Sequence, residues 1–180
     1  EEEEAQALFL GFALANAHWR LLDSPRAANS PKIRVFNPSL AEDGFVSEHT
    51  VVQIVNDNMP FLVDSVTMAI NRSGRTAHWI VHPLMSVARN ADGSIAEVST
   101  VAAATAAGRN DPVESLILVE CDRIVSAADQ QALVDELTHI LADVRGAVVD
   151  WQPMLSRVKE LITASEKFTG THQSHGEGIA

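Results

Sequence analysis

Basic residues are scarce in this chain: 13 Lys and Arg stand against 24 Asp and Glu, a formal net charge of −11. That balance repels phosphate backbones and anionic lipid, so neither a nucleic acid nor a membrane surface is expected as a partner. There is one cysteine, Cys121. This excludes a disulfide within the chain and suits a reducing, cytoplasmic compartment. Cys121 sits in an apolar strand with no basic neighbour to lower its pKa, so it reads as a small core residue. No run of eighteen apolar residues occurs, and none of the chain is expected to span a membrane as a helix. The acidic start, Glu1 to Glu4, is the opposite of a signal peptide. No Gly-x-Gly-x-x-Gly follows a strand; Gly108 stands without a second or third glycine at the spacing a dinucleotide cradle needs. No lysine has the apolar, Gly-rich setting that would activate it, since Lys32, Lys159 and Lys167 lie among polar residues. Ser65 and Ser115 lack a nearby His paired with an acid in sequence. The segment is expected to catalyse nothing. It begins on Glu rather than Met and reads as a piece of something longer.

What the chain does have is concentrated in residues 49–74, HTVVQIVNDNMPFLVDSVTMAINRSG. Val51, Val52, Ile54 and Val55 form the β-branched run of a buried central strand. Asn56, Asp57 and Asn58 supply turn chemistry, and Pro60 suits the first position of a helix, where its missing N–H costs nothing. Leu62, Val66, Ala69 and Ile70 then fall on one stripe, and Gly74 is a left-handed stop. A strand running directly into a helix aims backbone N–H groups beyond the turn, a geometry that favours an anion such as an amino-acid carboxylate. The candidate binding residues are therefore Asn56, Asp57, Asn58, Met59, Pro60 and Phe61, with Asp64 as a partner of the helix dipole or a subunit contact.

Around this centre the pattern predicts further elements. Residues 2–23 read as a helix whose Leu8, Phe12, Ala15, Trp19 and Leu22 form a seam. Lys32 to Phe36 is a short strand. Ala77 to Arg89 is a long strand with Trp79, Val81, Met85 and Val87 on one face, interrupted by Pro83 at an edge or bulge. A turn at Ala91-Asp92-Gly93 leads to a weaker strand over 95–98. Residues 99–113 read as a mobile loop with one helical turn. Leu116 to Cys121 is a buried strand, and a capping box from Ser126 to Asp129 opens a helix carrying Leu133, Leu137, Ile140, Leu141 and Val144. That helix loosens near Gly146, Pro153 opens a last one, and the tail over 169–180 reads as disordered.

The order is close to the ferredoxin-like β-α-β-β-α-β plan, an α+β fold with an antiparallel sheet and two packed helices. Helices flank it at each end. The plan's final strand is missing after the second helix, and Ile33 to Phe36 is available to fill that edge from the other end of the chain. The organisation predicted is a helix over 1–25, a core domain over 32–145, a helix over 150–168 and the tail. A sheet with helices on one face leaves the other open. It is expected either to dimerise there or to be covered by the N-terminal helix.

The histidines do not predict a metal. His78 and His82 are four apart, but on a strand that is about 13 Å, too far for one ion. His49 and His139 have no acidic or thiol neighbours at ligand spacing, and His172 and His175 lie in the tail.

The central stretch also resembles a known family. HTVVQIVNDNMPFLVDSV is similar to a segment near the N terminus of the large bacterial NAD-specific glutamate dehydrogenases, where it opens a domain of the ACT type. The resemblance continues through Ala17 to Leu21, Lys32 to Phe45, Gly74 to Gly93, Glu114 to Ile124 and Leu141 to Met154. In that family the catalytic domain lies far downstream. The resemblance therefore implies a non-catalytic regulatory or oligomerisation domain of an enzyme that deaminates L-glutamate to 2-oxoglutarate and ammonia. NAD would be used by the parent enzyme and no cofactor by this segment. Its partners would be other domains of the parent chain, further copies in a homo-oligomer and an amino-acid effector. The alternative is a free-standing amino-acid-sensing or protein-interaction module of the same fold. In amino-acid-binding ACT domains the turn ends in Pro-Gly; here Phe61 stands where those domains have glycine.

Overall fold

The computed structural model describes residues 2–173, with side chains at 11–151 and 153–165. It divides into a compact unit over 1–144 and a second over 145–180.

The central strand β2 (Thr50–Asp57) is buried along almost its whole length. On one side it pairs antiparallel with β1 (Lys32–Phe36), from Lys32 opposite Val55 to Phe36 opposite Val51. On the other it pairs with β6 (Val113–Cys121), from Thr50 opposite Cys121 to Asp57 opposite Glu114. The strand borrowed from the N-terminal side thus takes the edge that the β-α-β-β-α-β plan assigns to its last strand. Beyond β6 the predicted 77–89 strand is two pieces, β3 (Ala77–Val81) and β4 (Leu84–Arg89), laid end to end along β6. Pro83 occupies the gap. It has no N–H for a ladder, but its carbonyl accepts from Leu116 N at 3.0 Å, so the break leaves β6 bonded. β5 (Ile95–Thr100) adds an outer strand on β4. This antiparallel sheet with its helices is an α+β, ACT-type ferredoxin-like fold.

Strand parity decides the layers. Val52 and Ile54 of β2 and Ile117, Val119 and Cys121 of β6 point to one face. There they meet α3 (Leu62–Arg72), through Leu62, Val66, Ala69 and Ile70, and α5 (Ala127–Gln173), through Leu133, Leu137 and Leu141. Each fully buried side chain of this kind contributes roughly 1.5–3 kcal/mol, so a one-residue slip of β2 would forfeit the whole set. Cys121 is fully buried here, and burial pushes its thiol up to about 11, as an inert core residue requires. Ser126 opens α5 as expected, its hydroxyl accepting from Asp129 N at 3.3 Å.

The opposite parity, Val51, Gln53 and Val55 of β2 with Leu116 and Leu118 of β6, faces α1 (Glu2–Asp23). Of the two ways to satisfy the open sheet face, this structure uses the chain's own N-terminal helix. The helix is rotated from the predicted seam. Ala13, Leu14, Ala17, His18 and Leu22 are buried, while Phe12 is 73% and Trp19 45% exposed. Ala13 and Ala17 let the helix backbone approach the sheet closely, and the larger aromatics are left at the flanks; the side chain of Leu8 lies outside the described residues. Val81 and Val87 go under this layer and Met85 packs at its edge, whereas Trp79 remains 46% exposed.

Four further expectations need correcting. Pro60 does not begin α3; the helix starts at Leu62, after Phe61 in a left-handed conformation with φ 69°. A short helix α2 (Leu40–Asp43) forms where no element was expected, while α4 (Val101–Ala106) is the helical turn expected within 99–113, capped by the Thr100 hydroxyl accepting from Ala103 N. The helix does not loosen at Gly146 and Pro153 does not open a new one, since α5 runs from Ala127 to Gln173 with Pro153 inside it. A single glycine in a helix costs only about 1 kcal/mol, too little to end one where the neighbours are strong helix formers. Of the tail predicted as disordered, 169–173 belong to α5 and 174–180 lie outside the described residues.

Candidate functional site

The turn after β2 sends its six candidate residues in different directions. Asn56 is fully buried, and its side-chain amide donates to the Asp57 carbonyl at 3.2 Å. Asp57 points to the α1 side of the sheet. Asn58 is tied to β6 twice, its N–H donating to the Val113 carbonyl at 2.9 Å and its Oδ1 accepting from the Ser115 hydroxyl at 3.0 Å. Met59 packs against the helix-side core. Pro60 is exposed, and Phe61, the residue in glycine's place, is 68% exposed.

Phe61 keeps the backbone that glycine would adopt, at φ 69°. A residue with a Cβ in this region costs roughly 1–2 kcal/mol, and its exposed ring recovers little by packing. No side chain caps α3 at Phe61; the first backbone bond of the turn is Ser65 N to the Phe61 carbonyl at 3.0 Å, and Asp64 lies in the first turn where the helix dipole favours it. Phe61→Gly is therefore expected to stabilise the domain by about 1 kcal/mol, raising Tm by a few degrees in a thermal melt. A lower Tm for that variant would show that the ring makes contacts worth more than the strain.

Asp57 lines a sizeable cavity, of about 500 Å³, walled by the segment after α1, the β4–β5 turn and the start of β6. A buried ion network forms its floor. Arg26 donates to Asp57 Oδ1 at 2.5 Å and, through Nη2, to Glu114 Oε1 at 2.8 Å. Arg89 grips the same carboxylate from the other side, Nε to Oε1 at 2.7 Å and Nη2 to Oε2 at 2.9 Å. Glu114 is 1% exposed and Arg26 5%. Burial pushes the Arg26 guanidinium down, but its bonds to Asp57 and Glu114 outweigh that and hold it above its ordinary value. Both arginines also reach backbone carbonyls, Arg26 that of Ser30 and Arg89 those of Gly93 and Leu22. Gly93, at φ +84°, lies so close to Arg26 that a Cβ would meet its carbonyl oxygen at 2.4 Å. The network locks the chain after α1 onto three strands.

A second buried polar group lies under α1. His18 donates from Nε2 to the Ile54 carbonyl at 3.3 Å, and burial, partly opposed by that bond, lowers its pKa to about 4. Gln53, on the same sheet face, is fully buried with neither amide atom hydrogen-bonded.

The sequence did not reveal Arg26, Arg89, Glu114 or His18. Arg26 lies outside every predicted element, and Glu114 stands two residues before the apolar run Leu116 to Cys121, inside β6 in the structure. His78 and Asp122 do meet, at 2.7 Å, with the His49 ring 4.6 Å from that of His78, and His139 does have an acidic neighbour, its Nε2 lying 3.5 Å from the carboxylate of Asp143 one helical turn on. Among the described residues no group of three or more His, Cys, Asp or Glu is placed to hold a metal, and no helix is long and apolar enough to cross a membrane.

Comparison with known proteins gives this geometry a context. The family model described as glutamate dehydrogenase, ACT1 domain, matches residues 3–137. An NAD-specific glutamate dehydrogenase of Pseudomonas aeruginosa is 36% identical over 145 residues, which is 81% of this chain and 9% of that protein. Another from Halomonas elongata is 35% identical over 137 residues, 76% of this chain and 8% of that protein. The chain thus spans less than a tenth of the length of these relatives.

Proposed function

Because the chain belongs to the glutamate dehydrogenase ACT1 domain family, we propose that it is a non-catalytic regulatory and assembly module of an NAD-dependent glutamate dehydrogenase. The observation that carries this is the extent of the match. Residues 3–137 take in α1, β1 and the whole sheet, nearly all of the compact unit over 1–144, and not the central motif alone. In this reading the parent protein, in the cytoplasm, oxidises L-glutamate to 2-oxoglutarate and ammonia with NAD, and the catalytic groups belong to other domains of that chain. The module contributes to a homo-oligomer and takes an amino-acid effector at Asn56 to Phe61, beside the cavity that Asp57 enters. Asp57, the partly exposed member of the network, supplies a carboxylate for the ammonium of such a ligand.

Calorimetric titration of the chain with the common L-amino acids tests the effector. Saturable binding of at least one, weakened when Asp57 is replaced by alanine, is expected. Binding of none removes the effector and leaves an architectural module. The same preparation should not reduce NAD in the presence of L-glutamate, and turnover above a protein-free blank would overturn the non-catalytic reading.

A further inference from the structure

The second unit contains the C-terminal part of α5 and exposes a continuous apolar face. Ala147, Val148, Trp151, Met154, Leu155 and Val158 recur at spacings of three and four, and the pattern continues through Leu161 and Ile162. Trp151 is 57%, Met154 53% and Val158 50% exposed. Ser156 and Glu160 lie on the opposite side together with Pro153 and Val149, and Lys159 on one flank. A helix of this kind gains most of its stability from packing that face on a partner.

The sequence of the face says what the partner is. With Trp151 and Val158 at the first seam position and Ala147 and Met154 at the second, an antiparallel copy places Trp151 against Met154 of the second copy and Val158 against its Ala147. Val148 then lies beside Leu155 of the second copy on one flank. On the other flank Asp150 meets Arg157 of the second copy, and the two-fold axis repeats every one of these contacts. Arg157 bonds Glu160 in the single chain, at 3.0 Å and largely exposed, a pair it can exchange at little cost. A parallel pairing would instead set Asp150 and Arg157 against Leu155 and Ile162, leaving both charges unmatched. We infer that α5 carries a self-complementary seam, centred between residues 152 and 153, through which two copies of this chain pair antiparallel. This rests on the assembly half of the proposed function; the calorimetric titration decides the effector half separately.

Sedimentation equilibrium of the 180-residue chain over a wide concentration range tests the seam. A reversible dimer is expected, converted to monomer by Trp151→Asp, with circular dichroism showing that the sheet domain stays folded. Asp150→Arg should weaken the dimer about tenfold, the effect of two exposed ion pairs, and adding Arg157→Asp to the same chain should restore it. Mixing Ala147→Cys with Val158→Cys chains should give a disulfide-linked pair that neither variant gives alone; Cys121 is buried and does not interfere. A wild-type chain that stays monomeric would overturn the proposal and assign the face to another segment of the parent protein. A dimer unmoved by Trp151→Asp, or one in which each cysteine variant links to itself, would overturn it as well.

Discussion

Replacing Glu114 with alanine is expected to cost the fold about 3–5 kcal/mol, because it leaves buried cations without their counter-charge. Glu114 accepts four hydrogen bonds from two guanidinium groups, and its carboxylate is the point at which Arg26 and Arg89 converge. Without it, Arg26 retains as counter-charge only Asp57, whose side chain is 30% exposed and screened by water, beside the Ser30 carbonyl, and Arg89 retains only backbone carbonyls. On a domain of this size the loss corresponds to a fall in Tm of roughly 10 °C or more. Glu114→Gln keeps the shape and still loses the charge, so it should fall between alanine and the wild type. Asp57→Ala should cost less than either, since Asp57 is itself partly exposed and Arg26 keeps Glu114. Chemical denaturation of the three variants checks the ranking. If Glu114→Ala melts within a degree or two of the wild type, the network does not hold the segment after α1 to the sheet.

How far the fold was legible follows from how local its causes are. Val51 to Val55 and Leu62 to Ile70 declared a strand and a helix because burial imposes periods of two and 3.6 on residues adjacent in sequence. The edge strand Lys32–Phe36 was legible for the same reason, and the vacancy in the topology pointed to its place. The orientation of α1 was not. Phe12 and Trp19 carry the most apolar area, so hydrophobicity alone turns them inward, but the sheet surface admits a close approach only by Ala13 and Ala17. A contact that depends on the shape of a distant surface leaves no period in the helix itself. The same holds for the site. Asn56 to Phe61 form the expected turn, yet Asp57 finds its partner at Arg26, 31 residues away, and Glu114 finds its own 88 and 25 residues away. Charge pairs over such separations are set by the register of β2, β4 and β6. Phe61 is the converse case: the likeness to a Pro-Gly turn located it, and only the backbone shows that it holds glycine's conformation.

Acidification should act on the fold through His18, in a window above that of the carboxylates. Its imidazole is neutral under α1 and has a pKa of about 4, against an ordinary value of 6.5. Between those two values the unfolded chain binds a proton that the folded chain refuses, so stability rises with pH across the window and is lost as pH falls through it. One such proton is worth about 1.4 kcal/mol per pH unit. The whole window therefore removes on the order of 3 kcal/mol, a large share of what a domain of this size has. His82, also lowered by burial though less enclosed, adds in the same direction. Asp92 and Asp122, held below the ordinary carboxylate value by bonds to Ser94 and to Thr76 and His78, act only at lower pH and leave the upper window to the histidines. Tm measured from pH 7 to pH 4 should thus decline steadily from about pH 6.5. His18→Leu, which keeps the volume and removes the titrating group, should flatten most of that decline while leaving the steep loss below pH 4. A variant that tracks the wild type throughout would mean that His18 is protonated in place, and that α1 does not seal it from water.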